Sequence, residues 1–339
     1  MDAHFILSKK ILKEQVSLLK DLGLKVSYSY KTNREVGNIL QEIAPEVDFS
    51  IHAKEEIEMI QDKSKVSFFT QAESVDELKQ IILTGIKTFV VDNEIDLNNL
   101  LEAASTKINL SLRMKFQEHR VGSGKYFVYG MPSRRINEII SEIKDNQLID
   151  QLGIHLHRKS QNTSEWEIKE ELEDSLTKES LDRLNTINFG GGLPAKYRSY
   201  TSKVLPYIFQ KLTNAKEFLE QYNIKTIIEP GRFLAAPCIK LETEIIQVQN
   251  KNLIINTTIY NCALDNILTG TKMLVEGEQE TGTEYLIKGN SPTRDDIFRY
   301  KVKTNNPKVG DKIIFLNAGA YNYTTDFFGY KKLETKIID

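Results

Sequence analysis

The sequence has little of what marks several large protein classes. Two cysteines, Cys238 and Cys262, among 339 residues are too few for a disulfide framework or a cysteine-rich metal cluster. No run approaches the ~18 apolar residues of a membrane-spanning helix. The first residues carry no basic stretch followed by a long apolar core, so no secretion signal is expected. These absences predict a globular, cytoplasmic protein without a membrane segment.

The chain also lacks an excess of charge of either sign. Lysine and arginine number 45, aspartate and glutamate 47, and the formal net charge is −2. Nucleic-acid-binding domains usually carry a basic excess or patch, so no nucleic-acid partner is expected. The length suffices for one large barrel and a second module.

The first two thirds of the sequence alternate between short β-rich runs and amphipathic helical stretches. Eight strands are predicted, at residues 26–30, 47–51, 66–69, 88–92, 108–114, 152–157, 186–190 and 226–229. Helices are predicted at residues 9–22, 33–43, 54–61, 74–84, 95–105, 133–144, 166–184 and 202–221. Eight β/α units favour a (β/α)8 TIM-like barrel of the α/β class over a doubly wound open sheet.

After Arg232 the helical period disappears. Strands separated by tight turns are predicted at residues 241–248, 253–260, 272–276, 283–288 and 312–316. We therefore predict a barrel over residues 9–235 and a C-terminal all-β domain over residues 236–339. Residues 4–8 also have strand character and are expected to join the β domain.

Candidate functional residues follow the predicted barrel strands, where barrel active sites lie. Lys31 ends the first strand, and a lysine there can hold an aldehyde as a Schiff base. Gly190-Gly191-Gly192 follows the seventh strand and lets backbone N–H groups approach a phosphate, although a loop that needs positive φ also explains the glycines. Glu229 and Arg232, at the end of the eighth strand, place a carboxylate and a guanidinium where barrel phosphate sites usually lie. The alternative is that they form a structural ion pair with each other.

His155 and His157 lie on one face of the sixth strand because strand side chains alternate. Zinc would need a third ligand, and no residue of matching spacing is near. A ring stacked on a planar cofactor suits His157 better. Ser160 in the next turn is a candidate phosphate donor, and Tyr321 is either another donor or a core residue.

These motifs stand in a fixed order along the chain. They are Tyr-x-x-Lys-x-Asn at 28–33, Gly-Ile-His-Leu-His-x-x-Ser-Gln at 153–161, Asn-Phe-Gly-Gly-Gly at 188–192, Glu-Pro-Gly-Arg at 229–232 and Gly-Ala-Tyr at 319–321. In this order they resemble the fold-type III pyridoxal-phosphate decarboxylases. That family acts on ornithine, arginine, lysine, diaminopimelate or carboxynorspermidine and shares its barrel with the alanine racemases.

The resemblance implies pyridoxal 5'-phosphate as cofactor and assigns roles to individual residues. Lys31 would form the internal aldimine, His157 would stack on the pyridine ring, and Glu229 would pair with the ring nitrogen. The phosphate would be held by Gly190, Gly191, Gly192, Gly231, Arg232, Ser160 and Tyr321. Arg113 would support the site from behind the cofactor, with a barrel-rim ion pair as the alternative. A carboxylate keeps the ring nitrogen protonated, so Glu229 favours decarboxylation over racemisation.

The chain departs from the family where the partner subunit usually supplies a proton-donating cysteine and an acid. Pro292 stands in the cysteine's place and Thr293 in the acid's, whereas Asp296 is retained as a candidate substrate ligand. Proline has no proton to give, and Cys262 is the only substitute that the sequence suggests.

Further departures surround the expected substrate site. Ser50 replaces a frequent aspartate. Arg158 and Lys159 replace an apolar residue and glycine, and two cations suggest an anionic group on substrate or cofactor. Residues 267–270 contain no acid for a distal amine. A substrate with a distal carboxylate is therefore favoured over a simple diamine precursor.

The sequence thus predicts a decarboxylase of a basic or carboxylated amino acid, related to polyamine or lysine metabolism. Its small-molecule substrate would be held by Arg158, Lys159 and Asp296, with no metal. A homodimer with shared active sites is implied by the resemblance. The alternatives are a racemase or a decarboxylation-dependent transaminase on the same fold, and a non-catalytic homologue that binds a partner.

Overall fold

The computed structural model describes residues 2–116, 129–322 and 324–339. Its larger sheet is a closed barrel of eight parallel strands. A ninth strand of two residues pairs with one of them. The first strand of the chain, β1 (His4–Ser8), belongs to the other sheet. The barrel sheet contains β2 (Lys25–Ser29), β3 (Asp48–Ile51), β4 (Val66–Phe69), β5 (Thr88–Val91), β6 (Ile108–Lys115), β7 (Met131–Pro132), β8 (Ile149–Leu156), β9 (Thr186–Asn188) and β10 (Lys225–Ile228). Pairing of β5 with β6 and of β10 with β2 closes the barrel.

Helices connect the strands as the sequence predicts. They are α1 (Lys9–Lys20), α2 (Arg34–Ile43), α3 (Val75–Leu83), α4 (Glu94–Ala103), α5 (Ser133–Glu142), α6 (Ile168–Ser175), α7 (Lys178–Leu181), α8 (Leu205–Glu220) and α9 (Arg232–Ala235). Local side chains fix their starts: Asn33 accepts hydrogen bonds from the first backbone N–H groups of α2, and Ser74 forms a capping box with Glu77 at α3. Apolar faces such as Val36 and Leu40 of α2 are buried against the strands.

The second sheet is mostly antiparallel and lies beyond α9. It contains β11 (Ile239–Gln249), β12 (Asn252–Ile255), β13 (Leu274–Val275), β14 (Thr283–Lys288), β15 (Ile297–Thr304), β16 (Lys312–Leu316) and β17 (Glu334–Ile338). Strand β1 pairs antiparallel with β11 and parallel with β17. The predicted fold class, a (β/α)8 barrel followed by a β domain, is confirmed.

Several predicted elements differ from those in the structure. The helix predicted at residues 54–61 is a 3₁₀ helix, Lys54–Met59. The helix predicted at 166–184 is two helices, α6 and α7, because the Thr177 hydroxyl accepts a hydrogen bond from Ser180 N and starts a new turn. Strands β15 and β17 were not predicted.

The predicted strand 253–260 ends early and gives way to two short helices, α10 (Ile259–Cys262) and α11 (Leu264–Thr269). Thr258 and Asn261 form a capping box at the start of α10, which stops the strand. The second domain is therefore not purely β, and α11 reaches the mouth of the barrel. Across the described ranges, no helix is both long and apolar enough to cross a membrane.

Candidate active site

A cavity of about 600 Å³ opens at the C-terminal ends of the barrel strands. Residues from both sheets line it. Lys31, His157 and Glu229 come from the barrel, and Thr269 and Tyr321 come from the second domain. The structure thus brings together side chains that the sequence placed in separate motifs, at the end of the barrel where active sites of this fold lie.

Lys31 lies in a single 3₁₀ turn, Tyr30–Thr32, directly after β2. The next residue holds this turn in place, because Asn33 caps α2 through its side-chain oxygen and donates from Nδ2 to Gly319 O at 2.8 Å. The Lys31 side chain faces the cavity. Burial of the surroundings lowers the pKa of Lys31 below the ordinary 10.5, an effect that nearby Glu229 opposes and Arg113 reinforces. A larger fraction of neutral amine makes Lys31 a better nucleophile.

Glu229 lies on the cavity floor with both carboxylate oxygens in hydrogen bonds. Oε1 accepts from Ser50 Oγ at 2.6 Å and from Asn188 Nδ2 at 2.8 Å, and Oε2 lies 2.9 Å from His155 Nε2. Burial opposes the charge, but the interactions with His155 and Ser50 overcome it and hold the pKa of Glu229 at about 2. Glu229 is therefore a fixed anion. Ser50, which replaces a frequent family aspartate, is one of its donors.

Three aromatic rings extend this cluster across the barrel. His52 stacks on Phe69 with ring centroids 4.5 Å apart, and Phe69 meets His155 edge-on at 4.9 Å. Burial lowers the pKa of His52 to about 3, and the charge of Lys31 adds to this effect. The Nδ1 atoms of His52 and His155 are buried without a hydrogen-bond partner among the described residues. The sequence reasoning missed His52, and no motif marks it.

His157 presents a neutral ring to the cavity. Its Nδ1 accepts a hydrogen bond from Gly191 N at 3.2 Å. Burial lowers its pKa to about 3, and the charges of His155 and Arg113 act in the same direction. A neutral ring fixed through one nitrogen suits stacking on a planar aromatic group.

The glycine segment after β9 is packed so closely that no side chain fits. A Cβ on Gly190 would lie 1.9 Å from Leu156 O, and one on Gly192 would lie 2.6 Å from Lys159 O. Both residues also have positive φ, +69° and +105°. The N–H groups of Gly190 and Gly191 already donate to Asn188 and His157. Among the described residues, the N–H of Gly192 has no such partner.

Arg232 lies at the start of α9, on the cavity wall, and is 7% exposed. It pairs with Asp265 rather than with Glu229, so the ion pair considered from the sequence does not form. Its Nη1 also donates to Tyr197 OH at 3.1 Å. Its Nε is buried and has no hydrogen-bond partner in the described ranges.

Two further candidates for phosphate binding, Ser160 and Tyr321, also line the cavity. Ser160 is exposed on the cavity rim. The ring of Tyr321 lies 5.0 Å from the Arg232 guanidinium, and its backbone N–H donates to Thr32 O at 2.9 Å. Thr32 Oγ1 donates to the Tyr321 hydroxyl, which leaves that hydroxyl's own proton available.

Arg113 and the pair Arg158-Lys159 line the cavity but have different surroundings. The Arg113 guanidinium lies 5.0 Å from the Tyr129 ring centre. Arg158 and Lys159 both contact Glu165, and Arg158 also contacts Glu171. These two cations are therefore balanced by carboxylates of the same chain, which weakens the argument for an anionic substrate drawn from their sequence.

Asp296 and Pro292 do not line the described cavity of their own chain. Asp296 is fully buried, and its carboxylate accepts hydrogen bonds from Ile259 N at 2.9 Å and from Ser291 Oγ at 2.6 Å. Within one chain it holds a loop together. Cys262 is also buried, donates to Thr258 O, and burial raises its pKa to about 12. It does not line the described cavity of its own chain, and its surroundings are those of a structural thiol.

The site fits pyridoxal phosphate on several observations. A half-exposed lysine amine and a fixed carboxylate share one cavity, a neutral histidine ring faces it, and glycines leave no room for side chains. An unpartnered Arg232 Nε, the Ser160 hydroxyl and the Tyr321 hydroxyl provide donors for a phosphate.

Comparison with known proteins gives the same assignment. Residues 8–236 match the family model "Pyridoxal-dependent decarboxylase, pyridoxal binding domain". A comparison with curated proteins gives no match. Among solved structures, lysine decarboxylase from Selenomonas ruminantium is similar with a TM-score of 0.86 at 18% identity, over 99% of this chain and 92% of that one.

Two other solved structures are similar over the whole chain. A diaminopimelate decarboxylase variant from Helicobacter pylori, complexed with L-lysine, has a TM-score of 0.85 at 18% identity and is covered to 92%. The arginine decarboxylase of Paramecium bursaria Chlorella virus has a TM-score of 0.80 at 20% identity and is covered to 96%. At such identities these likenesses support the fold. The family match spans more than half of the sequence, and the chain therefore belongs to the pyridoxal-dependent decarboxylases, which are carboxy-lyases that use pyridoxal phosphate.

Proposed function

We propose that this chain decarboxylates an α-amino acid in the cavity around Lys31. The observation that carries the proposal is the pairing, in one cavity, of the Lys31 amine with the permanently ionised Glu229. When bound, pyridoxal phosphate supplies an electron-withdrawing ring that accepts the electron pair left by the departing CO2.

In this proposal each residue acts on a defined part of the cofactor. Lys31 would hold the cofactor covalently through its amine. Glu229 would favour a proton on the ring nitrogen, because a fixed carboxylate stabilises the protonated ring. His157 would support the ring face, and Arg113 would support the site from behind the cofactor.

The phosphate would be held mainly by groups that still have a donor available. These are the N–H of Gly192, the Arg232 Nε, and the hydroxyls of Ser160 and Tyr321. Gly190, Gly191 and Gly231 contribute by leaving space, since a Cβ on each would meet a neighbouring atom at 2.8 Å or less. This modifies the expectation that all three glycines after β9 donate to the phosphate.

The charged side chains that line the cavity indicate which distal group the substrate carries. Glu229 is the one acidic side chain lining the described cavity, and it is committed to His155, Ser50 and Asn188. Among the described residues that line the cavity, none supplies an acid for a distal ammonium group. Arg158 and Lys159 are balanced by Glu165 and Glu171, so they contribute hydrogen-bond donors more than net charge. We propose a substrate whose distal end is carboxylated or neutral and polar.

A second outcome on the same site is decarboxylation-dependent transamination. The observation that favours it is Pro292, which supplies no proton at the position of the family's cysteine. In that reaction the proton would be added to the cofactor and not to the substrate carbon, and hydrolysis by water would release an aldehyde and pyridoxamine phosphate instead of an amine. A homodimer, a cytoplasmic location and a role in polyamine or lysine metabolism stay predictions.

The test is CO2 release by the purified protein with pyridoxal phosphate. The panel contains ornithine, lysine and arginine, against diaminopimelate and other carboxylated amino acids. Fastest release from a substrate with a carboxylated or a neutral polar distal end, with an amine as product, is expected. Preference for ornithine or lysine contradicts the substrate proposal, and an aldehyde product selects the transaminase outcome. No CO2 from any substrate contradicts the function itself.

A further inference from the structure

Arg232, one of the proposed phosphate ligands, is already engaged by a carboxylate. Asp265 Oδ2 lies 2.6 Å from Arg232 Nη1, and Asp265 Oδ1 accepts from Nη2 at 3.0 Å. Both side chains are buried, at 7% and 2% exposure. This is a two-point ion pair in a dry environment, the strongest geometry that arginine and a carboxylate form.

The Asp265 carboxylate is itself held in place. Its backbone N–H donates to Asn322 Oδ1 at 3.1 Å, and Thr269 Oγ1 donates to Asp265 O at 2.8 Å and contacts Oδ1 at 3.2 Å. Thr269 lines the cavity at the end of α11. The backbone of Asp265 is therefore fixed beside Arg232, and Thr269 also contacts its carboxylate.

The pair changes what Arg232 presents to the cavity. Asp265 and Tyr197 occupy both terminal nitrogens, and Nε is the nitrogen left without a partner in the described residues. The positive charge of the guanidinium is also neutralised by the adjacent carboxylate. The other cations on the same wall, Arg158 and Lys159, are paired as well.

We propose that Asp265 lowers the affinity of the site for the phosphate, because it pairs with both terminal nitrogens of Arg232 and offsets the charge of that guanidinium. This inference rests on the proposed function, because it requires pyridoxal phosphate in this cavity. The physical reason is that a buried carboxylate beside the phosphate ligand repels the anion and offsets the attraction of the arginine.

The test compares binding of pyridoxal phosphate with that of pyridoxal, which has no phosphate, by absorbance titration. Asp265→Asn removes the charge but keeps an oxygen for one Arg232 nitrogen. It should bind pyridoxal phosphate about tenfold more tightly, the order expected from removing one charge close to an anion whose charge is partly screened. Pyridoxal affinity should stay unchanged. Asp96→Asn is the matched control, because Asp96 is also buried but is hydrogen-bonded to Ala72 and Asn93, which do not line the cavity, and it should change neither affinity.

The outcomes separate this inference from the proposed function. Unchanged or weaker pyridoxal phosphate binding by folded Asp265→Asn overturns the role of Asp265. An equal gain for pyridoxal overturns it too, because the effect would not concern the phosphate. If Asp265→Asn does not fold, Asp265→Ser removes the same charge and must give the same selective gain. Failure of the wild-type protein to bind pyridoxal phosphate instead overturns the proposed function.

Discussion

Replacing Glu229 by glutamine removes the central charge of the site with the smallest change in shape. Glu229 is 6% exposed and uses both oxygens in hydrogen bonds to Ser50, Asn188 and His155. Glutamine keeps one oxygen but puts an NH2 group in place of the other. It therefore loses the charge and retains only part of the network.

The pKa of Glu229 sets the size of the expected effect. It falls from 4.5 to about 2 on folding, because hydrogen bonds and positive neighbours outweigh the burial that opposes them. A difference of about 2.5 in pKa corresponds to about 3 kcal/mol of folding free energy. Since the folded-state pKa is depressed, this contribution is fully present above pH 4.5 and is lost as the pH falls from about 4.5 to about 2.

The assay is urea unfolding at a series of pH values between 2 and 7. Between about pH 4.5 and about pH 2, the free energy of unfolding should fall by about 3 kcal/mol less in Glu229→Gln than in the wild type. Glu242→Gln is the control, because Glu242 is also buried but lies in the second sheet, paired with Lys312 at 2.9 Å. It should keep the acid-dependent loss that comes from Glu229. Parallel curves for Glu229→Gln and wild type would refute the electrostatic reasoning.

Two other predictions concern the glycine segment and the lysine. Gly190 and Gly270 both have φ of +69°, but a Cβ on Gly190 would lie 1.9 Å from Leu156 O, whereas one on Gly270 meets nothing within 4 Å. Gly190→Ala should therefore lower the free energy of unfolding by at least about 3 kcal/mol and weaken pyridoxal phosphate binding. Gly270→Ala should lower the free energy of unfolding by only about 1 kcal/mol. Equal losses of stability in chemical denaturation contradict this. Burial lowers the pKa of Lys31, and its neutral amine is the nucleophile. The rate of cofactor attachment, followed by absorbance, should rise with pH and reach half its maximum at a pH below 10.5. A half-maximal rate at pH 10.5 or above contradicts this.

The sequence was informative where one local signal fixes the structure. Short apolar runs became the barrel strands within a few residues, and β4 at Val66–Phe69 agrees at both ends. The position of Lys31 after a strand also placed it at the functional end of the barrel. Charged residues such as Arg299 and Lys301 within β15 obscured a strand that pairs with β14.

What the sequence could not predict depends on contacts between distant segments. Ser50 and Glu229 are 179 residues apart, and Arg232 and Asp265 belong to different domains of the chain. No pattern around Asp265 indicates its partner, and neither does any around His52. The ion pairs of Arg158 and Lys159 also required the structure, because Glu165 and Glu171 reach them only through the fold of the following loop and helix.

The most direct test of the account is the site of covalent cofactor attachment. The wild-type protein is incubated with pyridoxal phosphate, reduced with borohydride, digested and examined by mass spectrometry. The account predicts a pyridoxyl group on Lys31 and none in Lys31→Ala, while Lys87→Ala, which replaces an exposed lysine outside the cavity, keeps the label. A label on another lysine, or persistence of the label in Lys31→Ala, would contradict the central claim.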